Sequence, residues 1–351
     1  MRGVTMSLLM FMISCGMRLL GINGEPQVPC FFIFGDSLSD NGNNNQLNTT
    51  AKANYQPYGI DFLDSIPTGR FTNNLTAVDI ITKKLGLPWL IPSFANATMG
   101  ANISSGVNYA SGGAGILPET GKNLGQRIPL DQQIKNHVTI IRRPDWNTDE
   151  HKCLYSINIG SNDYINNYFL PSNNQTRQLF TPEQFAELLI CKFRLQIETL
   201  HQLGARKVVL FGLGEIGCTL AEIALYGPSN GSSCVENINS AVMIFNDKLV
   251  SLVKEFNVNL TDAKFIYINS TAVQLTPLQG FKVFNASCCM VRADDGLCVA
   301  GSRPCDDRSE YVFWDYFHPT YAVNALAAGS AYEAQGSPDA YPTDISHLVK
   351  S

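Results

Sequence analysis

Two kinds of hydrophobic pattern alternate along this chain. Short runs at residues 30–34, 153–159, 207–211 and 264–268 are apolar almost throughout. Their length and their lack of a two-residue alternation predict strands buried on both faces. Longer segments between and after them carry apolar residues at helical spacing. Thr181-Pro182-Glu183-Gln184 opens one such segment. Thr caps, Pro fits the first turn, and Gln184 completes a capping box. Phe185, Leu188, Leu189, Phe193, Ile197 and Leu200 keep the period up to Gly204, which suits a helix stop. A second helix is predicted over 234–256, with Ile238, Val242, Phe245, Leu249, Leu252 and Phe256 on one face, and an Ala-rich third over 321–333. Repeated strand–helix–strand units imply parallel pairing with right-handed crossovers. The expected fold is therefore α/β, with a central parallel sheet covered by helices on both faces. The Gly/Asn-rich stretches 41–54 and 95–125 read as long functional loops rather than domain boundaries.

The N-terminus lies outside this pattern. Arg2 precedes an apolar run from Met6 to Met17, and small or polar residues follow up to Gly24. That order predicts a secretory signal peptide at 1–24, leaving 25–351 as a single domain. The run is too short for a membrane anchor, which needs about 20 apolar residues, and no later segment is long and apolar enough to serve. A net charge of −5 with no Lys/Arg cluster argues against a nucleic-acid partner.

A secreted chain meets oxidising conditions, which changes how its ten cysteines read. Cys15 falls within the signal. Cys218 and Cys234 flank a turn-rich insertion and are expected to pair. Cys288, Cys289, Cys298 and Cys305 crowd together, and at least one bridge is expected among them. Cys30, Cys153 and Cys191 sit in apolar segments and read as buried free thiols. No Cys-x-x-Cys occurs and the histidines are scattered, so no metal site is implied. Asn-x-Ser/Thr occurs at Asn48, Asn74, Asn96, Asn102, Asn174, Asn230, Asn259, Asn269 and Asn285, which predicts glycosylation at several of them.

Four segments carry candidate chemistry. Gly35-Asp36-Ser37-Leu38 follows the first strand. A serine there has its hydroxyl at the carboxyl edge of the sheet, where open α/β sheets place ligands, and its N–H can donate to a developing oxyanion. The second segment, around Gly112 and Gly113, allows close backbone approach to a ligand. The third, Gly160-Ser161-Asn162-Asp163, sets a side-chain amide at the end of another strand. In the fourth, Asp315 and His318 are three apart, so the carboxylate can orient the imidazole as a base. Each segment alone is also explained by turns and helix caps. Gly227-Pro228-Ser229-Asn230-Gly231 matches a nucleophile elbow, but no strand precedes it, and it reads as a surface turn.

Together and in this order, the four segments resemble the four blocks of the GDSL esterase/lipases, the SGNH hydrolases, in their plant-type branch. Phe71-Thr72-Asn73, Gly217-Cys218 and Tyr311-Val312-Phe313-Trp314-Asp315 extend the resemblance over the whole mature chain. It implies a flavodoxin-like three-layer α/β/α sandwich. It implies Ser37 as nucleophile, His318 as base, Asp315 as its orienter, and an oxyanion hole from the Ser37 N–H, a glycine N–H and the Asn162 side chain. The choice between Gly112 and Gly113 stays open. The implied activity is that of a secreted carboxylic ester hydrolase forming an acyl-enzyme, with no cofactor and a small-molecule or lipid ester as its partner. The alternatives are an acyltransferase using the same site, or a non-catalytic secreted binding glycoprotein. Gly214-Glu215-Ile216 and Leu220 stand where many relatives have prolines nearby, and Ser287 and Met290 replace usual glycines. These departures bear on loop shape and substrate choice.

Overall fold

Four strands form where the apolar runs predict them: β1 (Phe31–Gly35), β2 (Leu154–Asn158), β3 (Lys207–Phe211) and β4 (Lys264–Ile268). All four are parallel, in spatial order β1-β2-β3-β4, and a two-residue strand, β7 (Ala340–Tyr341), adds to β4 antiparallel. The structure is a computed structural model and describes residues 25–172, 175–227, 234–272, 275–336 and 339–351. The expected signal peptide, Asn174, Asn230 and Ser229 of the elbow-like pentapeptide lie outside the described residues. Among the described residues, no helix is long and apolar enough to cross a membrane.

Successive side chains of a strand point to opposite faces, and both faces here are apolar. Phe32, Phe34, Tyr155, Ile157, Val208, Leu210, Phe265 and Tyr267 join one core cluster. It is completed by α2 (Leu130–Ile141), α3 (Pro182–Gln202) and α5 (Glu236–Asn259). Phe31, Ile33, Leu154, Val209, Phe211, Ile266 and Ile268 join the other, against α1 (Ala77–Lys84), α6 (Tyr321–Tyr332) and the C-terminal turn Ile345–Leu348. This is the expected three-layer sandwich. Full burial of a side chain such as Phe32 contributes about 1.5–3 kcal/mol. The predicted start of α3 holds: Gln184 N–H donates to the Thr181 hydroxyl at 3.3 Å, and Thr181 N–H donates to Gln184 Oε1 at 2.9 Å.

The chain beside β1 extends the sheet without forming a full strand. Phe31 N–H donates to the Ser105 carbonyl at 2.9 Å, and Tyr109 N–H to that of Ile33 at 2.7 Å. Gly106 makes this approach possible, because it adopts φ +111° and a Cβ there would collide with the Phe31 carbonyl. The segment thus leads the Gly112–Gly113 turn to the carboxyl end of β1.

Two sequence expectations are corrected. Cys30 and Cys153 are not free thiols but form a disulfide. Each immediately precedes a strand, and the register pairing Phe31 with Leu154 sets the two side by side, Cα atoms 4.7 Å apart. Cys191 is free but exposed, on the solvent side of α3, not buried. Residues 220–226 form a further helix, α4 (Leu220–Tyr226), capped by the Thr219 side chain. The expected Cys218–Cys234 bridge is present, and the cysteine cluster holds two bridges, Cys288–Cys305 and Cys289–Cys298. These last two sit in a small third core with Ala51, Tyr58, Phe71 and Trp314, beside a two-stranded sheet of β5 (Val283–Ser287) and β6 (Tyr311–Phe313).

Candidate active site

Parallel register fixes where the first and third segments meet. Gly35 at the end of β1 lies opposite Asn158 at the end of β2, and Asp36 N–H donates to the Asn158 carbonyl at 3.2 Å. Ser37 and Asn162 therefore both stand at the carboxyl edge of the sheet. Ser39 and Asp40 N–H groups return to the Asp36 carbonyl at 3.1 and 2.9 Å, closing the turn that presents Ser37. The Asp36 carboxyl is buried beneath it, accepts from Leu38 N–H at 3.0 Å, and is pushed by burial up to about 7.

His318 arrives from the other side of the sheet edge. Ser37 Oγ and His318 Nε2 are 2.8 Å apart, and His318 Nδ1 lies 2.7 Å from Asp315 Oδ2. The Asp315 backbone turn is self-bracing: Asp315 Oδ1 accepts from the N–H groups of Phe317 and His318, both at 2.8 Å. Trp314 N–H donates to the His318 carbonyl at 2.8 Å and closes the loop. Asp315 is 0% exposed. In this arrangement the imidazole can take the Ser37 proton at Nε2 while the carboxylate holds Nδ1–H.

The sequence reading missed Tyr58. Its hydroxyl donates to Asp315 Oδ2 at 2.6 Å and accepts from Cys298 N–H at 3.1 Å. Cys298 is itself fixed by its disulfide to Cys289. Tyr58 thus couples the cystine-rich insertion to the carboxylate behind the imidazole. No local signal in the sequence points to it, since 257 residues separate Tyr58 from Asp315.

The glycine segment resolves into two different roles. Gly112 N–H donates to Asp40 Oδ2 at 2.9 Å and is occupied. Gly113, with φ +77°, lines the cavity, and its N–H has no partner among the described residues. The Ser37 N–H is likewise unengaged there. Asn162 is oriented from both ends: its Oδ1 accepts from Asn166 Nδ2 at 2.7 Å, and its Nδ2 donates to the Ala114 carbonyl at 3.1 Å. That leaves one amide hydrogen of Asn162, which also lines the cavity. The asparagines after Ser37 hold this frame. Asn44 Nδ2 donates to the carbonyls of Ala51 and Gly112, both at 2.9 Å, and Asn43 Nδ2 to those of Asn108 and Ala110.

The site opens into a cavity of about 630 Å³. Leu124, Ile165, Phe211, Ile216, Leu225 and Phe317 are among its apolar walls. That size and character suit a small ester with an apolar chain. The GDSL-like Lipase/Acylhydrolase family model matches residues 31–330. The chain belongs to this family. Three GDSL esterase/lipases of Arabidopsis thaliana are similar over nearly the whole chain. One is 47% identical, covering 95% of this chain and 95% of its own length. The others are 45% identical over 97% of both chains, and 46% identical over 98% of this chain and 99% of the relative. Gly214, Glu215 and Ile216 of this GDSL hydrolase all line the cavity. Of the glycosylation sequons described, Asn48, Asn96, Asn102, Asn259 and Asn285 are exposed, whereas Asn74 and Asn269 are half-buried.

Proposed function

We propose that this GDSL-family hydrolase is a secreted carboxylic ester hydrolase that works through an acyl-enzyme on Ser37. The observation that carries the proposal is the unbroken chain from Ser37 Oγ to His318 Nε2, 2.8 Å, and from His318 Nδ1 to Asp315 Oδ2, 2.7 Å. Ser37 Oγ attacks the ester carbonyl carbon while its proton passes to His318 Nε2. The carbonyl π bond opens, and the resulting oxyanion accepts from Ser37 N–H, Gly113 N–H and Asn162 Nδ2. Gly113 is preferred to Gly112 because Asp40 already holds the Gly112 N–H. The tetrahedral adduct collapses, the alkoxide leaves with the proton from His318, and Ser37 keeps the acyl group. Water then gives its proton to His318 and attacks the acyl carbon, and collapse releases the carboxylic acid and restores Ser37. Four disulfides and exposed sequons support passage through an oxidising, glycosylating compartment.

A fluorophosphonate probe tests the reading. Intact protein incorporates the label at Ser37, and Ser37→Ala abolishes both labelling and release of acid from a p-nitrophenyl ester. Label on another serine, or undiminished turnover by Ser37→Ala, refutes it.

A further inference from the structure

The cavity that receives the substrate contains a buried carboxyl with nothing to bind. Glu222 lies on α4 and lines the cavity together with Ser37 and His318. It is 3% exposed. Neither of its carboxyl oxygens has a hydrogen-bond partner among the described residues, and Oε2 is fully enclosed. Other carboxylates facing the cavity are differently placed. Asp295 is paired with Arg292 at 2.5 Å, Asp36 accepts from Leu38 N–H through Oδ1 while its Oδ2 also lacks a partner among the described residues, and Asp294 and Glu215 are exposed. No Lys or Arg lines the cavity among the described residues.

An unsatisfied buried polar group costs free energy and is uncommon in native proteins. At a cavity wall it is satisfied when a ligand brings the complementary group. Helix α4 is held rigidly for that purpose. Thr219 caps its start, and Ala221 N–H donates to the Tyr316 carbonyl at 3.2 Å, docking the helix on the loop that carries Asp315 and His318. The position of Glu222 is therefore tied to the reacting centre.

We propose that Glu222 is a specificity-determining residue that hydrogen-bonds a hydroxyl group of the substrate, so that the enzyme prefers esters bearing a hydroxyl away from the scissile bond. A hydroxyl fits better than a cation. The cavity lining is mostly apolar, and burial pushes the Glu222 carboxyl up to about 7, so it is largely neutral in mildly acidic solution. A protonated carboxyl both donates to and accepts from a hydroxyl, whereas a buried cation needs a full counter-charge. Anionic substrates are disfavoured, because the lining offers carboxylates and no Lys or Arg.

The inference rests on the ester-hydrolase reading, and its test separates the two. The purified full chain is assayed at pH 6 on p-nitrophenyl and alkyl esters matched in length. One set has a plain chain, one a hydroxyl on the acyl chain, one a hydroxyl on the alcohol, and one an ammonium in place of the hydroxyl. A site built around a hydrogen-bonding partner discriminates against analogues that lack it. We expect kcat/KM for one hydroxyl set to exceed that for its plain counterpart by about 10- to 100-fold, the cost of leaving one buried polar group unsatisfied, and the set that responds tells which side of the ester faces Glu222. In Glu222→Leu the ratio falls to one or below. In Glu222→Gln, which keeps a donor and an acceptor, an intermediate ratio remains. Four results overturn the inference: a ratio of one in the wild type for both hydroxyl sets, an unchanged ratio in Glu222→Leu, a ratio in Glu222→Gln no higher than in Glu222→Leu, or a preference for the ammonium ester. Wild-type protein inactive on every ester overturns the hydrolase reading as well, whereas activity without hydroxyl preference overturns only the role of Glu222.

Discussion

Removing one hydroxyl from Tyr58 separates support of the site from its chemistry. In Tyr58→Phe the ring stays in the small core with Phe71 and Trp314, to both of which it packs edge-on. Two interactions disappear: the 2.6 Å bond to Asp315 Oδ2 and the 3.1 Å bond from Cys298 N–H. Burial and the charge of Asp315 push the phenol well above its usual range, so it remains a donor throughout any practical assay. A hydrogen bond to a charged group contributes about 1.5–3 kcal/mol, and the orphaned Cys298 N–H costs about 1–3 kcal/mol more. The two overlap in one network and do not simply add, so the expected loss of stability is about 2–4 kcal/mol. Asp315 keeps the Phe317 and His318 N–H bonds and still holds Nδ1. The fall in kcat is therefore about tenfold, well short of the roughly 10⁴-fold that loss of the orienting carboxylate brings in a serine triad. Thermal melts and steady-state kinetics on a p-nitrophenyl ester measure both effects. A variant with wild-type melting temperature and kcat refutes the reasoning.

Three further outcomes are expected. Asn162→Ala lowers kcat about 10²- to 10³-fold with a smaller change in KM; steady-state kinetics on a folded variant decide it, and an unchanged kcat confines Asn162 to holding the Ala114 and Asn166 loops. Asp36 has its folded value raised by burial from 3.8 to about 7, so the folded state keeps a proton that the unfolded chain releases, and the contribution of Asp36 to stability declines as pH rises across that window. Asp36→Asn removes the slope, so the melting temperature of the variant minus that of the wild type grows between pH 4 and pH 7; a constant difference contradicts this. Replacing Cys289 and Cys298 together by Ser lowers kcat more than replacing Cys218 and Cys234, because only the former pair carries the N–H that Tyr58 uses; equal effects measured on folded proteins tell against the coupling.

Residues legible in the sequence are those whose role is written locally. A strand buried on both faces declares itself by an unbroken apolar run, and a residue at its exit inherits the carboxyl edge of the sheet. Ser37 and Asn162 could be placed this way without any contact being known. Asp315 and His318 were legible because their mutual geometry is set by three residues of turn. The choice between Gly112 and Gly113 was not, because it depends on Asp40 reaching across 72 residues to take the Gly112 N–H. The Cys30–Cys153 bridge was missed for a related reason. Both cysteines sit at the head of apolar runs, where a thiol reads as one more core residue, and only the parallel register brings them together.

The same distinction explains why chemistry is easier to infer here than substrate. The groups proposed to react come from strand ends and one tight turn, elements that a sequence pattern specifies. The cavity wall comes from α4, from the 211–216 segment and from the insertion that carries Asp294 and Asp295. None of these announces a ligand by itself. Glu222 acquires meaning only when its surroundings are known, since an exposed glutamate on an amphipathic helix would need no explanation. What marks it is the combination of burial, absent partners and a shared cavity with Ser37. Selection among esters is thus expected to change through substitutions on α4 and the 214–216 segment while Ser37, Asn162, Asp315 and His318 stay fixed. In this chain Gly214, Glu215 and Ile216 line that wall, and none of them is among the four residues proposed to carry the reaction.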